Sequence, residues 1–311
     1  MPEHCSLTSC PFLICPICGL PLTSSSAGNA LQCPRYHSFD IAREQYVNLL
    51  LKKASADTKE MVQARRQFLA SGHYAPLASQ INELVSHYLN ETVTTRPAPV
   101  DAMHCAPTAT QAASSQPCIS ILDAGCGEGY YLGQLQRDLS AQQPELSCCY
   151  LGIDSSKEAI RMAARHYKGI CFLVASIKEP LPIAGDSLQV LLNIFAPRNA
   201  AEFGRVLLPG GLLLVVIPGP NHLQPLRDRL SLLNIEEDKQ QHVIQQFAPY
   251  FTLRDTISLT YQLPFDRQAI ASLVRMTPNY WHLSEQARQV MEEIEEMQTE
   301  IAFVCLAFIK Q

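Results

Sequence analysis

The sequence predicts an α/β protein: a doubly wound, mostly parallel sheet with a small N-terminal metal-binding module resembling a zinc ribbon. Three observations carry that prediction. From Cys118 onward, short β-branched or apolar runs alternate with helix-compatible stretches, the spacing of βαβ units whose sheet is covered on both faces. A glycine-rich turn, Gly125-Cys126-Gly127-Glu128-Gly129, follows the first of those runs. Ahead of the alternating region stand two close pairs of metal-ligating residues, Cys15 with Cys18 and Cys33 with His37. With 311 residues, 47% of them hydrophobic, the chain is long enough to bury a sizeable core. Its longest apolar run, Val206 to Ile217, is broken by Pro209-Gly210-Gly211 and falls short of the roughly 20 residues that span a bilayer. No basic stretch opens an apolar leader, so a cytoplasmic protein without a membrane partner is expected.

Four segments follow in order. Residues 1–55 are turn-rich and cysteine-bearing, a module too short of apolar stretches to hold itself together without a staple. Residues 56–91 turn helical: Leu77, Ile81, Leu84, Val85, Tyr88 and Leu89 recur at three- and four-residue spacing, one apolar stripe facing a core. Gly72 divides this connector into two helices. Residues 92–117, rich in Pro, Ala, Ser and Thr, show no period and read as a flexible insertion. Residues 118–311 carry the sheet, with strands expected at Ile119–Leu122, Cys149–Ile153, Ile170–Val174, Leu188–Ile194 and Leu212–Ile217. Two later strands, Thr256–Leu263 and Ile301–Ile309, are expected to form an antiparallel edge. The glutamates at 285, 292, 293, 295, 296 and 300 predict a solvated helix over Ser284–Thr299 before the last strand.

The ligand pairs have the arithmetic of a tetrahedral zinc site. Cys15-Pro16-Ile17-Cys18 and Cys33-Pro34-Arg35-Tyr36-His37 supply three thiolates and one imidazole, which closes the coordination shell and makes the metal structural. Folding of the module then depends on the ion. Cys5 and Cys10 lack a spaced partner and stay outside the set. Twelve cysteines in a long chain of this kind read as thiols and metal ligands in place of a disulfide framework.

The glycine turn is shared with dinucleotide-binding proteins, but two details argue for another ligand. Asp123 precedes the first glycine, where it reaches an ammonium or organises the loop, and the third glycine of the pyrophosphate fingerprint is missing. Asp154 ends the next strand, where a carboxylate accepts both hydroxyls of a ribose. Over residues 118–220 the combination resembles the class I S-adenosylmethionine-dependent methyltransferases, a Rossmann-like fold. Further motifs narrow the resemblance: the Cys-Pro-x-Cys knuckle, Ala42-Arg43-Glu44-Gln45-Tyr46, Gln63-Ala64-Arg65-Arg66, Gly72-His73-Tyr74, Phe195-Ala196-Pro197 and Pro218-Gly219-Pro220-Asn221-His222. Together these resemble the RlmA family of 23S ribosomal RNA (guanine-N1)-methyltransferases across nearly the whole chain. The resemblance implies zinc in the knuckle and S-adenosylmethionine contacts from Tyr74, Gly127, Glu128 and His222, beside the Asp123, Gly125 and Asp154 read from the loop itself. It implies 23S rRNA as substrate, leaves a second copy of the chain as a candidate partner, and gives no role to DNA. The sequence departs from the family in the 92–117 insertion, a longer hairpin between the ligand pairs, and a longer lead before the knuckle.

Two other classes compete with this reading. One is a methyltransferase for a small molecule or a protein, with the zinc module as a stability element. The other is a non-catalytic RNA-binding adaptor, against which the intact Asp123, Gly125, Gly127 and Asp154 argue. No Asp or Glu stands out as a general base for removing the guanine N1 proton. Asn193 and Pro197, just past the fourth strand, fall where this architecture brings the acceptor. Glu202 and Arg205 read as an exposed pair. Trp281, the single tryptophan, reads equally as a base-stacking residue or a core aromatic. The net charge of −5 gives no global attraction to nucleic acid, so RNA grip is expected from a local basic surface of Arg35, Arg43, Lys52, Lys53, Arg65 and Arg66.

Overall fold

The computed structural model describes residues 6–52, 57–95, 118–232, 238–277 and 283–311. Three short strands open the chain, β1 (Thr23–Ser24), β2 (Ala30–Gln32) and β3 (Ser38–Asp40), paired antiparallel in the order β1-β2-β3. The next strand, β4 (Tyr46–Asn48), leaves that small sheet. Helices α1 (Lys59–Ala70) and α2 (Ala75–Thr95) follow, separated at Gly72 as expected. Thr58 caps α1 by accepting from Met61 N. Helix α2 runs through Thr95, into the stretch read as an insertion; residues 96–117, Lys53 and Trp281 lie outside the described residues.

The large domain alternates as the sequence predicts: β5 (Ile119–Ala124), α3 (Tyr130–Gln142), β6 (Cys148–Asp154), α4 (Lys157–His166), β7 (Ile170–Val174), β8 (Leu188–Ile194), α5 (Ala200–Val206) and β9 (Leu207–Pro218). Beyond them lie α6 (Gln224–Leu230), α7 (Lys239–Phe247), β10 (Phe251–Asp266), α8 (Arg267–Arg275), α9 (Glu285–Glu293) and β11 (Glu296–Lys310). The main sheet has eight strands in the order β10-β11-β9-β8-β5-β6-β7-β4. Strands β4 through β9 pair in parallel, and β11 pairs antiparallel with both β9 and β10. The acidic segment is divided where a single helix over Ser284–Thr299 was expected. The register of β10 continues to Asp266 opposite Glu296, so residues from 296 onward are drawn into the sheet, and Thr299 is 1% exposed.

The central strands present alternate residues to two cores. Along β9, Leu212, Leu214 and Val216 face one, and Leu213, Val215 and Ile217 the other, the two-residue period of a strand buried on both sides. The first core is closed by α2, α3 and α8 through residues such as Leu77, Leu135 and Ile270. On the second face, α5 and α7 contribute Phe203 and Phe247. The connection from β7 to β8 carries no helix, and the metal module packs there instead. Leu13 bridges Ile183, Ile14 N donates to Pro182 O (3.1 Å), and Ala184 N donates to Phe12 O (2.8 Å). Leu13, Leu22, Leu31 and Val47 thereby join the same core as the central strands. Among the described residues no helix is long and apolar enough to cross a membrane.

Candidate active site and metal centre

The glycine turn is shaped by what lies against it. At Gly125, φ is +93°, and a Cβ there would stand 2.3 Å from the Cβ of Ala196; glycine alone lets the ends of β5 and β8 approach this closely. Gly127 aims its N–H at Asp154 Oδ2 (3.0 Å), and Asp154 Oδ1 accepts from Ser156 N (2.7 Å). The carboxylate ending β6 therefore ties the turn to the start of α4.

A cavity of about 1450 Å³ opens at this end of the sheet, above the roughly 300–1,000 Å³ usual for one small ligand. Tyr74, Asp123, Gly125, Gly127, Glu128, Asp154 and His222 all line it. The structure thus brings together every residue expected at the cofactor. Asp123 is 1% exposed and its Oδ1 has no hydrogen-bond partner. Burial pushes its carboxyl up to about 8, with Asp154 and Glu128 adding to the effect. Burial also raises Glu128 and Asp154, while Arg65 works in the opposite direction on both. Arg65 itself engages Asp57 (2.5 Å) and donates to Met276 O (3.2 Å). Three carboxyl groups, Asp123 and Glu128 buried and Asp154 half-buried, facing one guanidinium already committed to a fourth make a place for a cation. A sulfonium bearing an ammonium group fits that demand.

Tyr74 and His222 meet in another part of the lining. His222 Nδ1 accepts the backbone N–H of Ala302 (3.3 Å), which leaves the ring proton of the neutral imidazole on Nε2, 3.3 Å from Tyr74 Oη. Burial, reinforced by Arg227 and Lys239, lowers the histidine to about 3, so the ring is neutral at physiological pH. Burial raises the Tyr74 phenol, and with His222 donating to it, its own O–H is left to donate elsewhere. Asn193 stands behind the cavity: its Nδ2 donates to Ala124 O (3.0 Å) and Pro197 O (2.9 Å), pinning the chain after β8 to the end of β5.

Two sequence expectations are corrected. Glu202 and Arg205 are a partly buried clamp, because Glu202 accepts from Leu181 N (2.7 Å) and Arg205 donates to Ile183 O (2.8 Å) and Leu181 O (3.0 Å). The backbone of the helix-free β7–β8 connection lacks regular partners, and this pair supplies them, Arg205 as donor to its carbonyls and Glu202 as acceptor for the Leu181 N–H. Arg65 does not belong to an outer basic surface, since it lines the cavity beside Gly127. Its spacing held the signal: Met61, Phe68 and Leu69 are buried, and Arg65 shares their face of α1. Phe195, which the sequence marks only as part of a motif, is 44% exposed and lines the same cavity.

In the N-terminal module, Cys15 Sγ and Cys33 Sγ lie 3.5 and 3.4 Å from His37 Nδ1, and Cys18 Sγ lies 3.6 Å from Cys33 Sγ. All four donor atoms fall within 4.8 Å of one another. Bond lengths of ~2.3 Å to sulfur and ~2.0 Å to nitrogen give a tetrahedron with edges of about 3.5–3.8 Å, which the three separations above approach, so the donor set fits Zn²⁺. Cys10 is outside the cluster, hydrogen-bonded to Cys171. Cys15 and its neighbours Ile14 and Pro16 also line the large cavity, so the metal centre and the glycine turn share one space.

Comparison with known proteins agrees with this pairing of sites. A family model described as RlmA, N-terminal, matches residues 13–54, and one described as Methyltransferase domain matches residues 116–256. A 23S rRNA (guanine(748)-N(1))-methyltransferase from Streptomyces fradiae is 36% identical over 285 residues, 90% of each chain. The chain belongs to this RlmA family. A second member, from Micromonospora griseorubida and provisionally named a 23S rRNA (guanine-N1)-methyltransferase, is 38% identical over 88% of each chain. The family's cofactors follow: S-adenosylmethionine for the methyltransferase domain and structural zinc for the Cys₃His cluster.

Proposed function

We propose that the protein transfers the methyl group of S-adenosylmethionine to N1 of a guanine in a hairpin loop of 23S ribosomal RNA. The observation that carries the donor is the buried anionic cavity with an unpartnered Asp123 Oδ1. The acceptor is supported by the reaction in the names of the relatives from S. fradiae and M. griseorubida. A sulfonium methyl needs little activation beyond a nucleophile held near and in line with it.

This chain's residues supply the holding. Asp154 and Asp123 present carboxyl groups from two adjacent strand ends, and Tyr74 presents a neutral hydroxyl that accepts from His222 and keeps its own O–H to donate. The cavity exceeds the size of a one-ligand pocket, so an acceptor base fits beside the donor, against a wall that includes Ile14 and Pro16 of the metal module. A guanine must leave its stack to expose N1, which costs least in a loop. Grip on the RNA backbone falls to surface cations. Arg43, Arg165 and Lys168 ring a small hollow with Glu44, and Arg66 meets His166 at 2.7 Å, so the basic surface expected of the N-terminal region continues onto α4.

Mapping N1-methylguanine in ribosomal RNA from cells with and without the gene tests the proposal. One methylated guanine of 23S rRNA is expected to disappear with the gene and return with a plasmid copy. An unchanged methylation map would refute it.

A further inference from the structure

We infer that Phe195 is the platform on which the target guanine stacks, with Asn193 as the residue that positions it. The inference rests on the rRNA reading above and gives it a base subsite. Among the described phenylalanines, Phe195 alone stands out as exposed, while Phe68, Phe172, Phe203, Phe247, Phe251, Phe265, Phe303 and Phe308 are essentially sealed from solvent. Its backbone is left-handed, φ +52°, a conformation that bulky residues rarely adopt and that the surroundings must impose. They do so from three sides. Asn193 straps Pro197 O to Ala124 O, Phe195 N donates to Val216 O (3.1 Å), and Ala196 is pressed against Gly125.

The result is an aromatic side chain held in the cavity wall one residue from the atom that touches the glycine turn. Phe303 backs it at a ring separation of 5.2 Å, and Tyr74 and Tyr131 stand at 6.5 Å. Nearly half of the residue stays open although apolar neighbours surround it. A purine offers a π-face to such a ring, and stacking is its characteristic contribution to binding an unpaired base. A guanine stacked here lies beside the loop that holds the donor, and the strained turn fixes the ring's direction in advance.

The test compares Phe195→Leu, which keeps the apolar bulk and loses the π-face, with Phe195→Trp, which restores a face. S-adenosylmethionine affinity is read by calorimetry, and transfer to 23S rRNA at saturating cofactor is read as kcat/KM for RNA. The leucine variant is expected to bind cofactor within about twofold of wild type and to lose about 10- to 100-fold in kcat/KM; tryptophan is expected to recover most of that loss. Wild-type transfer by the leucine variant overturns the inference, as does a cofactor affinity that falls in step with transfer, since Phe195 would then be a cofactor wall. A wild-type protein that binds cofactor and methylates no ribosomal guanine overturns the rRNA reading, and the stacking role with it.

Discussion

Asp123 shows how a single buried carboxyl couples the site to pH. Its folded value of about 8 lies above the ordinary 3.8, so between those limits the folded chain holds a proton that the unfolded chain has released. The contribution of this one carboxyl to the stability of the ligand-free protein is therefore fully present below about pH 4 and is lost as pH rises through about 8. A cationic ligand reverses the preference, because the ionised carboxylate now has a partner. Binding of S-adenosylmethionine near pH 7 should consequently release protons, visible as a buffer-dependent heat in calorimetry. Asp123→Asn should abolish that part of the release, weaken cofactor binding by about tenfold or more, and raise the melting temperature of the ligand-free protein at pH 8. A variant with unchanged affinity and unchanged proton release would show that Asp123 does not meet the cation.

At the scale of elements, the metal module is structural to the large domain and not a knob attached to it. Its strand β4 extends the main sheet beside β7, and its apolar residues fill the face left bare by the helix-free β7–β8 connection. Metal ligand Cys15 sits in that shared core and also lines the cavity. Removing zinc with a chelator should therefore lower the melting temperature of the whole chain and weaken S-adenosylmethionine binding, both restored by added Zn²⁺. Cofactor affinity that survives chelation intact would mean the module folds and fails by itself. The ligand set was legible in the sequence because each pair spans only a few residues, and the glycine turn with its two aspartates was legible for the same reason. The docking of β4 was not: a three-residue strand has no period to read, and its partner lies more than a hundred residues away. The same limit hid the Glu202–Arg205 clamp, whose acceptors are carbonyls of a distant irregular segment.

Over the whole molecule, charge is sorted more than it is summed. The acidic stretch between Glu285 and Glu300 is distant in sequence from the basic residues of the N-terminal half, and two of the three cavity carboxyl groups, Asp123 and Glu128, are buried. What remains outside near the β4 edge is cationic in excess: Arg43, Arg165 and Lys168 surround Glu44, which is held below the usual carboxylate range by its hydrogen bond to Arg165. One helix face away, Arg66 and Arg137 bear on His166, and Arg66 also bears on Glu128 at the cavity. A chain of net charge −5 thus carries a basic track that reaches the cofactor turn, enough for phosphate contacts without a basic composition. Each phosphate contact releases roughly one counterion, so the slope of log affinity against log salt counts them. Reversing Arg43, Arg165 and Lys168 together to glutamate should reduce that slope by about two to three for an rRNA fragment, with S-adenosylmethionine affinity unchanged because none of the three lines the cavity. Should the triple variant bind RNA with the wild-type salt slope, the track is ordinary solvated surface and the backbone of the RNA runs across another face.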